Sequence, residues 1–543
     1  MHKIKFKDFV ILGLIILLGG FLRFFKLAEY PIQLNHDEVT QLYDAISIAQ
    51  TGRDIYGNFL PFVFPSIGDF KPPFYTYLTS IFYFIFGEGE STIRLPGATF
   101  GVLTILAVYF FVLKFLNNKT VAQIAALFTA IAPFEIFFSR KSFENGAGIL
   151  LILIGFICLL THFKKHNLRW VYLAAVIFAL AMYTYFSHTI ILPLIIITFV
   201  LIFKDLFLKD WKKYLSCIFL FIILIIPLFI MILVNPALRY RSETVFIRQD
   251  LNLGRQLQYL DSNFLKEKVV GDYSFNRYLK QFDPIYLFSN GLDLTNQGPL
   301  GSGPLLLVQL PFLILGLIWL ARSTDLTKQR RFILAWILLG MLPSGLTFEL
   351  FSPHRVVMVF TMFNIICAMG VYFLINSLNK RPRFLILVIA FFTAAFFVNF
   401  VYFVHIYMVN FPYEKSQNLH YPFKQVAQFA WLSYNDFDQI IFDPQYGEVA
   451  PVIGVGAHYY LAYYGQYPPA KFQKEYRQGN KEREIIFDKF SIRKVDWRED
   501  QNLENTLVIA SEWSLPIDSI AKDKIIKVFY FYNKKVAFYA IKL

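Results

Sequence analysis

The chain has 543 residues, of which 56% are hydrophobic and only 17% charged, with 62 Phe, 32 Tyr and 7 Trp. That balance lies outside the range of soluble globular domains and excludes an ordinary soluble enzyme. The net charge of +14, from 52 Lys and Arg against 38 Asp and Glu, would suit a nucleic-acid binder, but the basic residues sit mainly in short loops between apolar blocks, where they orient membrane helices. No nucleic-acid partner is expected.

The first apolar run, residues 9–25, follows Lys3, Lys5 and Lys7 and lacks a small-residue cleavage site, so it reads as a retained first helix with the N-terminus in the cytoplasm. Further runs fall at 94–115, 121–138, 146–162, 170–186, 189–203, 214–234, 304–321, 332–348, 356–375 and 384–407. Each approaches the roughly 20 residues that cross about 30 Å of hydrocarbon, and together they give about eleven transmembrane helices. Residues 74–86 would reach only about 20 Å as a helix and are placed in the membrane interface. With that choice the basic loops around Lys114/Lys119, Lys164/Lys165/Arg169, Lys204/Lys209/Lys212/Lys213, Arg322/Lys328/Arg330/Arg331 and Lys380/Arg381/Arg383 all fall on the inner side. The long loops at about 27–93 and 235–303 then lie outside.

Beyond residue 409 the composition changes: charges become dense and Pro412 and Pro422 punctuate the exit from the last span. Phe423, Val426, Ala430 and Trp431 recur at helical spacing, whereas 439–442, 506–510, 525–531 and 536–541 are β-rich. We expect a transmembrane module over 1–409 and a small α/β domain over 410–543 on the outer face. Cys158, Cys217 and Cys367 all lie inside apolar segments, so no disulfide framework or CxxC site can be built from them.

The polar residues with chemical potential gather in the outer loops. Asp37 and Glu38 follow the first span, and Asp37 admits two readings: a carboxylate working at the membrane surface, or the N-cap of an amphipathic helix marked by Val39, Leu42 and Ile46. Asp69-Phe70-Lys71-Pro72-Pro73 and Arg94 come next; Lys71 and Arg94 could neutralise a leaving phosphate or anchor lipid headgroups. Arg140 could fork onto a phosphate, or pair with Glu144. His188 and His354-Arg355 stand at outer helix ends, where a polar cap is the plainer role for a lone His. Arg239 and Arg241 add two loop cations, and a surface-charge role suits them equally.

The order of these segments resembles a known family. Residues 21–27 (FLRFFKL), Asp37-Glu38, Thr51-Gly52, residues 68–75 (GDFKPPFY), Arg94-Leu95-Pro96-Gly97, Ser139-Arg140, Glu144-Asn145, Phe282-Asp283-Pro284 and Ser352-Pro353-His354-Arg355 are similar to the pattern of GT-C class membrane glycosyltransferases. The likeness is to family 39 proteins, relatives of protein O-mannosyltransferases and the lipid A aminoarabinose transferase, and it covers roughly residues 10–370. The resemblance implies a GT-C fold and inverting transfer from a polyprenyl-phosphate sugar to an acceptor hydroxyl, the acceptor being a protein, lipid or glycan. It implies Asp37 as catalytic base with Glu38 beside it. Lys71 would hold the donor phosphate, with Arg140, His354 and Arg355 as further phosphate contacts. Glu144 would be the acidic group of the second outer loop, although many relatives carry Asp there; Asp69, Arg94 and His188, read from the residues alone, are candidate substrate-supporting groups. No metal is expected to be required, since no HExxH, paired-Asp or Cys cluster compels one. Two other readings of the same membrane architecture stand beside this one. A lipid-linked sugar flippase would be marked by charges near mid-membrane, which these spans nearly lack. A non-catalytic envelope assembly factor would differ only in keeping its function when Asp37 is lost.

Overall fold

A computed structural model of the chain describes residues 6–67, 69–142, 144–235, 245–293, 298–481 and 483–543, with only the backbone given at Asp69, Asn145 and 208–210. Arg239 and Arg241 lie outside the described residues. The chain forms two compact units, one of residues 1–25 and Arg94–Tyr407, the other of Lys26–Ile93 and Met408–Leu543.

The first unit is helical. All eleven expected spans coincide with helices: α1 (Phe6–Phe24), α4 (Leu95–Phe115), the pair α5 (Lys119–Ile131) and α6 (Pro133–Ser139), α7 (Glu144–Lys165), α8 (Arg169–Met182), α9 (Phe186–Ile202), then Leu215–Val234, Leu310–Arg322, Thr327–Gly345, Val357–Leu378 and Pro382–His405. Five described helices are long and apolar enough to cross a membrane unaided, or six if the α5–α6 pair, bent by 56°, is one broken span. The bend has a local cause, because Pro133 brings no N–H to the helix ladder. Three further apolar helices are shorter. The two remaining ones carry charge at their ends: Lys7, Asp8 and Arg23 in α1, and Lys328, Arg330 and Arg331 in Thr327–Gly345.

The second unit joins the long first loop to the C-terminal residues. Its loop portion contributes α2 (His36–Thr51), the hairpin β1 (Phe64–Ser66) and β2 (Asp69–Lys71), and α3 (Pro73–Phe86). At 14 residues, α3 is about 21 Å long, too short to cross the hydrocarbon. Ile81, Phe84, Ile85 and Phe86 leave its far end exposed, an apolar surface suited to the interface expected from the sequence.

The C-terminal portion is α/β. The strands are β3 (Gln439–Phe442), β4 (Gln445–Tyr446), β5 (Val452–Ile453), β6 (Arg477–Gln478), β7 (Ile485–Phe487), β8 (Phe490–Ile492), β9 (Thr506–Ala510), β10 (Ile525–Tyr530) and β11 (Val536–Lys542). Seven form one mixed sheet in the order β10-β11-β9-β3-β8-β7-β6, with β3 parallel to both β8 and β9. The period of two along the strands explains its two cores. Ile440, Phe442, Leu507 and Ile509 face one side; Ile441, Val508 and Ala510 face the other. The first of these cores is completed by Val39, Leu42, Tyr43 and Ile46 of α2 together with Tyr75 and Ile93. The 26–93 loop, expected from the sequence to go with the membrane module, thus shares a hydrophobic core with the sheet domain.

Candidate active site

The helix that carries Asp37 is built by its own sequence. Asn35, extended at φ −73° and ψ 173°, is the N-cap, and its side chain accepts from the Glu38 N–H at 2.8 Å. The Glu38 carboxylate accepts in return from the Asn35 N–H at 3.0 Å, a capping box. This corrects the capping alternative for Asp37: the residue sits one position inside the helix, and the cap is two residues earlier. Glu38, only 1% exposed, has its carboxylate engaged in holding that cap. The Asn-x-x-Glu spacing was visible in the sequence.

Asp37 turns to Lys71. The Asp37 Oδ1 to Lys71 Nζ distance is 3.0 Å, and the two side chains keep 23% and 14% of their surface exposed. Lys71 is aimed by the hairpin, in which it pairs with Phe64, and the following prolines lock the exit: Pro72 is extended at the N-cap of α3 and Pro73 takes its first turn. On the other side His36 Nε2 lies 3.7 Å from Asp37 Oδ2. The His36 ring meets the His420 ring edge-on, with centroids 5.3 Å apart. Burial, then the neighbouring His36, pushes His420 down to about 3, with Asp37 opposing. His420 is therefore a neutral imidazole in the physiological range. The Asp69 side chain lies outside the described residues.

Tyr460 donates to the Leu34 carbonyl at 2.6 Å and Tyr43 donates to the Tyr467 carbonyl at 2.7 Å. Gln473 reaches Ser47, Thr51 and the Asp54 carbonyl through Nε2. The sequence does not mark Tyr460, Gln473 or His420, because nothing local in residues 420–473 points to a partner some 400 positions upstream.

The remaining candidates belong to the first unit. Arg140 ends α6, is 2% exposed, and donates from Nη1 to the carbonyls of Leu22 at 2.9 Å and Arg23 at 3.1 Å. Its Nε reaches the Tyr407 hydroxyl at 3.3 Å. Arg94 is fully buried at the start of α4, with its carbonyl accepting from the Ala98 N–H. Glu144, also buried, opens α7. One turn further on, Gly148 makes room for His188: a Cβ there would lie 2.1 Å from its Cε1. His188 is wholly buried and shares a 2.9 Å hydrogen bond with the Thr184 hydroxyl through Nδ1. It is a core residue of α9 rather than an exposed cap.

The turn after residue 351 gathers the last pair. Glu349 accepts from the Ser352 hydroxyl at 2.5 Å and lies 3.4 Å from Arg355 Nη2. His354 Nε2 is 3.2 Å from the same hydroxyl. Ser187, next to His188, donates to the Arg355 carbonyl at 3.4 Å, so the structure brings the His188 and Arg355 segments together. Arg355 Nη1 is buried with no hydrogen-bond partner among the described residues. Among the described residues no group of three or more His, Cys, Asp or Glu is arranged to hold a metal ion.

The profile of the family described as Dolichyl-phosphate-mannose-protein mannosyltransferase matches residues 70–231. Over 126 residues the chain is 31% identical to the Bacillus subtilis (strain 168) protein YycA, named for a proposed mannosyltransferase activity. That stretch is 23% of this chain and 18% of the relative, so the chain matches under a fifth of the curated relative's length. Among solved structures, ArnT from Cupriavidus metallidurans bound to undecaprenyl phosphate is similar at a TM-score of 0.55 and 12% identity, covering 98% of this chain and 97% of that one. The oligosaccharyltransferase AglB from Archaeoglobus fulgidus, in complex with an inhibitory peptide and a dolichol-phosphate, is similar at 0.53 and 12%, covering 86% and 64%. The fold is that of the GT-C class of membrane glycosyltransferases, a multi-pass helical module with a C-terminal sheet domain. The likeness in sequence is to protein mannosyltransferases over residues 70–231, and the likeness in fold includes ArnT over nearly the whole chain.

Proposed function

We propose that this chain is a glycosyltransferase that moves a hexosyl or pentosyl unit from a polyprenyl-phosphate donor to an acceptor hydroxyl. The reading rests on one observation above the others, the Asp37–Lys71 ion pair at the start of α2. A carboxylate able to take a proton stands 3.0 Å from a cation able to hold a phosphate; acceptor activation needs the first and leaving-group neutralisation the second, and the pair must open when the donor binds, because an inverting displacement puts base and phosphate on opposite faces of the sugar.

In the proposed reaction the donor phosphate competes with Asp37 for the Lys71 ammonium. The carboxylate so released takes the proton of the acceptor hydroxyl. The acceptor oxygen bonds to the anomeric carbon from the face opposite the phosphate, the carbon–oxygen bond to the phosphate breaks, and the polyprenyl phosphate departs with the electron pair beside Lys71. The configuration inverts, and no metal ion is invoked. Support for the donor class comes from the polyprenyl phosphates bound by ArnT and AglB, the proteins whose fold this chain shares. The positive-inside bias of the loops supports a cytoplasmic N-terminus, with the 26–93 loop and the sheet domain outside the plasma membrane.

The test is turnover of a panel of polyprenyl-monophosphate sugars by the protein in lipid, with a mixture of envelope acceptors. Wild type should consume at least one donor, and Asp37→Asn should lose roughly 10²- to 10⁴-fold in rate. Consumption of no donor would reject the donor class.

A further inference from the structure

Arg23, near the end of α1, is fully buried yet carries a full guanidinium into an apolar helical unit, and no step proposed above uses it. Its hydrogen bonds have a specific logic. Nη2 donates to the Thr129 carbonyl at 3.0 Å, and Nη1 to the Ala130 carbonyl at 3.1 Å and the Gly19 carbonyl at 3.1 Å. Thr129 and Ala130 are the carbonyls orphaned by the α5–α6 break. In a continuous helix they would accept from residues 133 and 134. Residue 133 is Pro and has no N–H, while the Phe134 N–H turns away to the Pro304 carbonyl at 3.1 Å. An unpaired carbonyl in a membrane interior is strongly unfavourable, and one planar fork answers both.

The surroundings are cut to this arrangement. A Cβ on Gly101 would lie 2.7 Å from Arg23 Nε and 2.5 Å from Ser139 Cβ, so α4 can pass the guanidinium and the end of α6 only as glycine. Glu135, in the first turn of α6, interacts electrostatically with Arg23 and accepts from the Thr361 hydroxyl at 3.2 Å. At the other end of α6, Arg140 returns to the carbonyls of Leu22 and Arg23. Both ends of this seven-residue helix are therefore tied to the end of α1.

We infer that Arg23 is a positioning residue: by capping the two carbonyls freed at Pro133 it fixes the bend of the broken span, and with it the place of the turn at 140–142 and of Glu144. For catalysis this rests on the proposed glycosyltransfer, but the structural part is separable from it. Ser142 is 4% exposed, and Ser142→Cys places a thiol reporter on the turn. Cys367 is fully buried in the helix Val357–Leu378 and serves as an internal control.

In that background, Arg23→Gln should speed maleimide labelling at position 142 by about tenfold or more while Cys367 stays protected, because the opening is local. Arg23→Lys, a single ammonium in place of a fork, should fall between the two, and it carries the test if Arg23→Gln does not fold. Turnover should fall with labelling, and the Lys variant should recover part of it. Labelling at 142 unchanged in both variants, or rising only together with Cys367, would overturn the inference. A wild type without turnover on any donor would sink the glycosyltransferase reading and leave the labelling result to decide Arg23 by itself.

Discussion

Tyr460 donates its phenolic hydroxyl to the carbonyl of Leu34 across 2.6 Å. The bond runs from the sheet domain to the residue just before the Asn35 cap, so the first turn of α2, with Asp37 on it, is held by a side chain more than 400 residues away. Burial, with Tyr446, Glu38 and Asp37 nearby, pushes the Tyr460 hydroxyl well up, which keeps it a donor throughout the physiological range.

Tyr460→Phe removes that donor without changing the ring. It leaves a buried carbonyl unpaired, at a cost of about 1–3 kcal/mol. The expected outcome is a lower midpoint in thermal unfolding together with reduced turnover, as the cap and Asp37 lose their reference. An unchanged midpoint would mean that the Leu34 carbonyl finds another partner and that the contact is dispensable.

Deleting residues 416–543 should abolish activity rather than change acceptor choice alone. Val39, Leu42, Tyr43 and Ile46 share one core with Phe423, Tyr460 and Leu507, and each large apolar side chain loses roughly 1.5–3 kcal/mol when returned to water. The truncated protein, reconstituted in lipid, should show rapid proteolysis within 26–93. A protected loop and normal donor turnover would show that the loop folds without the domain.

Asp44 offers a pH-dependent test of the same unit. Its Oδ1 accepts from the Ile55 N–H at 3.1 Å, and burial raises its carboxyl well above the usual range, with Asp54 adding to the effect. The folded state keeps the proton while the unfolded chain releases it near pH 4, so the contribution of Asp44 to stability is whole below that pH and is lost as pH rises towards the folded value. Asp44→Asn removes the dependence and should raise the unfolding midpoint relative to wild type by an amount that grows as pH rises above 4 towards the folded value. His420 and His458, both pushed down to about 3 chiefly by burial, contribute stability that fades as pH falls below the imidazole range, and this cancels between the two proteins. A constant difference across the pH range would contradict an uncharged Asp44.

Lys71→Gln separates donor binding from the chemical step. If Lys71 meets the donor phosphate both on binding and as it leaves, the substitution should raise KM for the donor and lower kcat, with a combined loss of about 3 kcal/mol or more in kcat/KM. Lys71→Arg, which keeps the charge with a different shape, should recover part of it. Unchanged donor KM and kcat would take Lys71 out of the site and leave the ion pair with Asp37 as a structural contact.

Much of the fold was legible because its signals are local. Apolar runs of span length fall on helices, and the β-rich runs at 439–442 and 506–510 coincide with β3 and β9. The α5–α6 break follows from Pro133, but residues 121–138 are apolar on both sides of it and carry the signal of a single span. What composition could not reveal was partnership over long distances. Arg140 presents itself in the sequence as a phosphate fork, but its guanidinium meets the carbonyls of Leu22 and Arg23. Glu38 presents itself as a second carboxylate, and it is half of a capping box. The loop at 26–93 was grouped with the helices that flank it because no signal in Leu34 or Tyr43 names Tyr460 or Tyr467.

In the proposed reaction Asp37, and not its neighbour, takes the acceptor proton. This role is tested most directly by comparing Asp37→Asn with Glu38→Gln under single-turnover conditions on whichever polyprenyl-phosphate sugar wild type consumes. Gln at position 38 can still accept from the Asn35 N–H and preserve the capping box, so that variant should transfer sugar at close to the wild-type rate. Asp37→Asn should lose roughly 10²- to 10⁴-fold while remaining folded. Loss in Glu38→Gln with full activity in Asp37→Asn would contradict the assignment and move the base one residue along the helix.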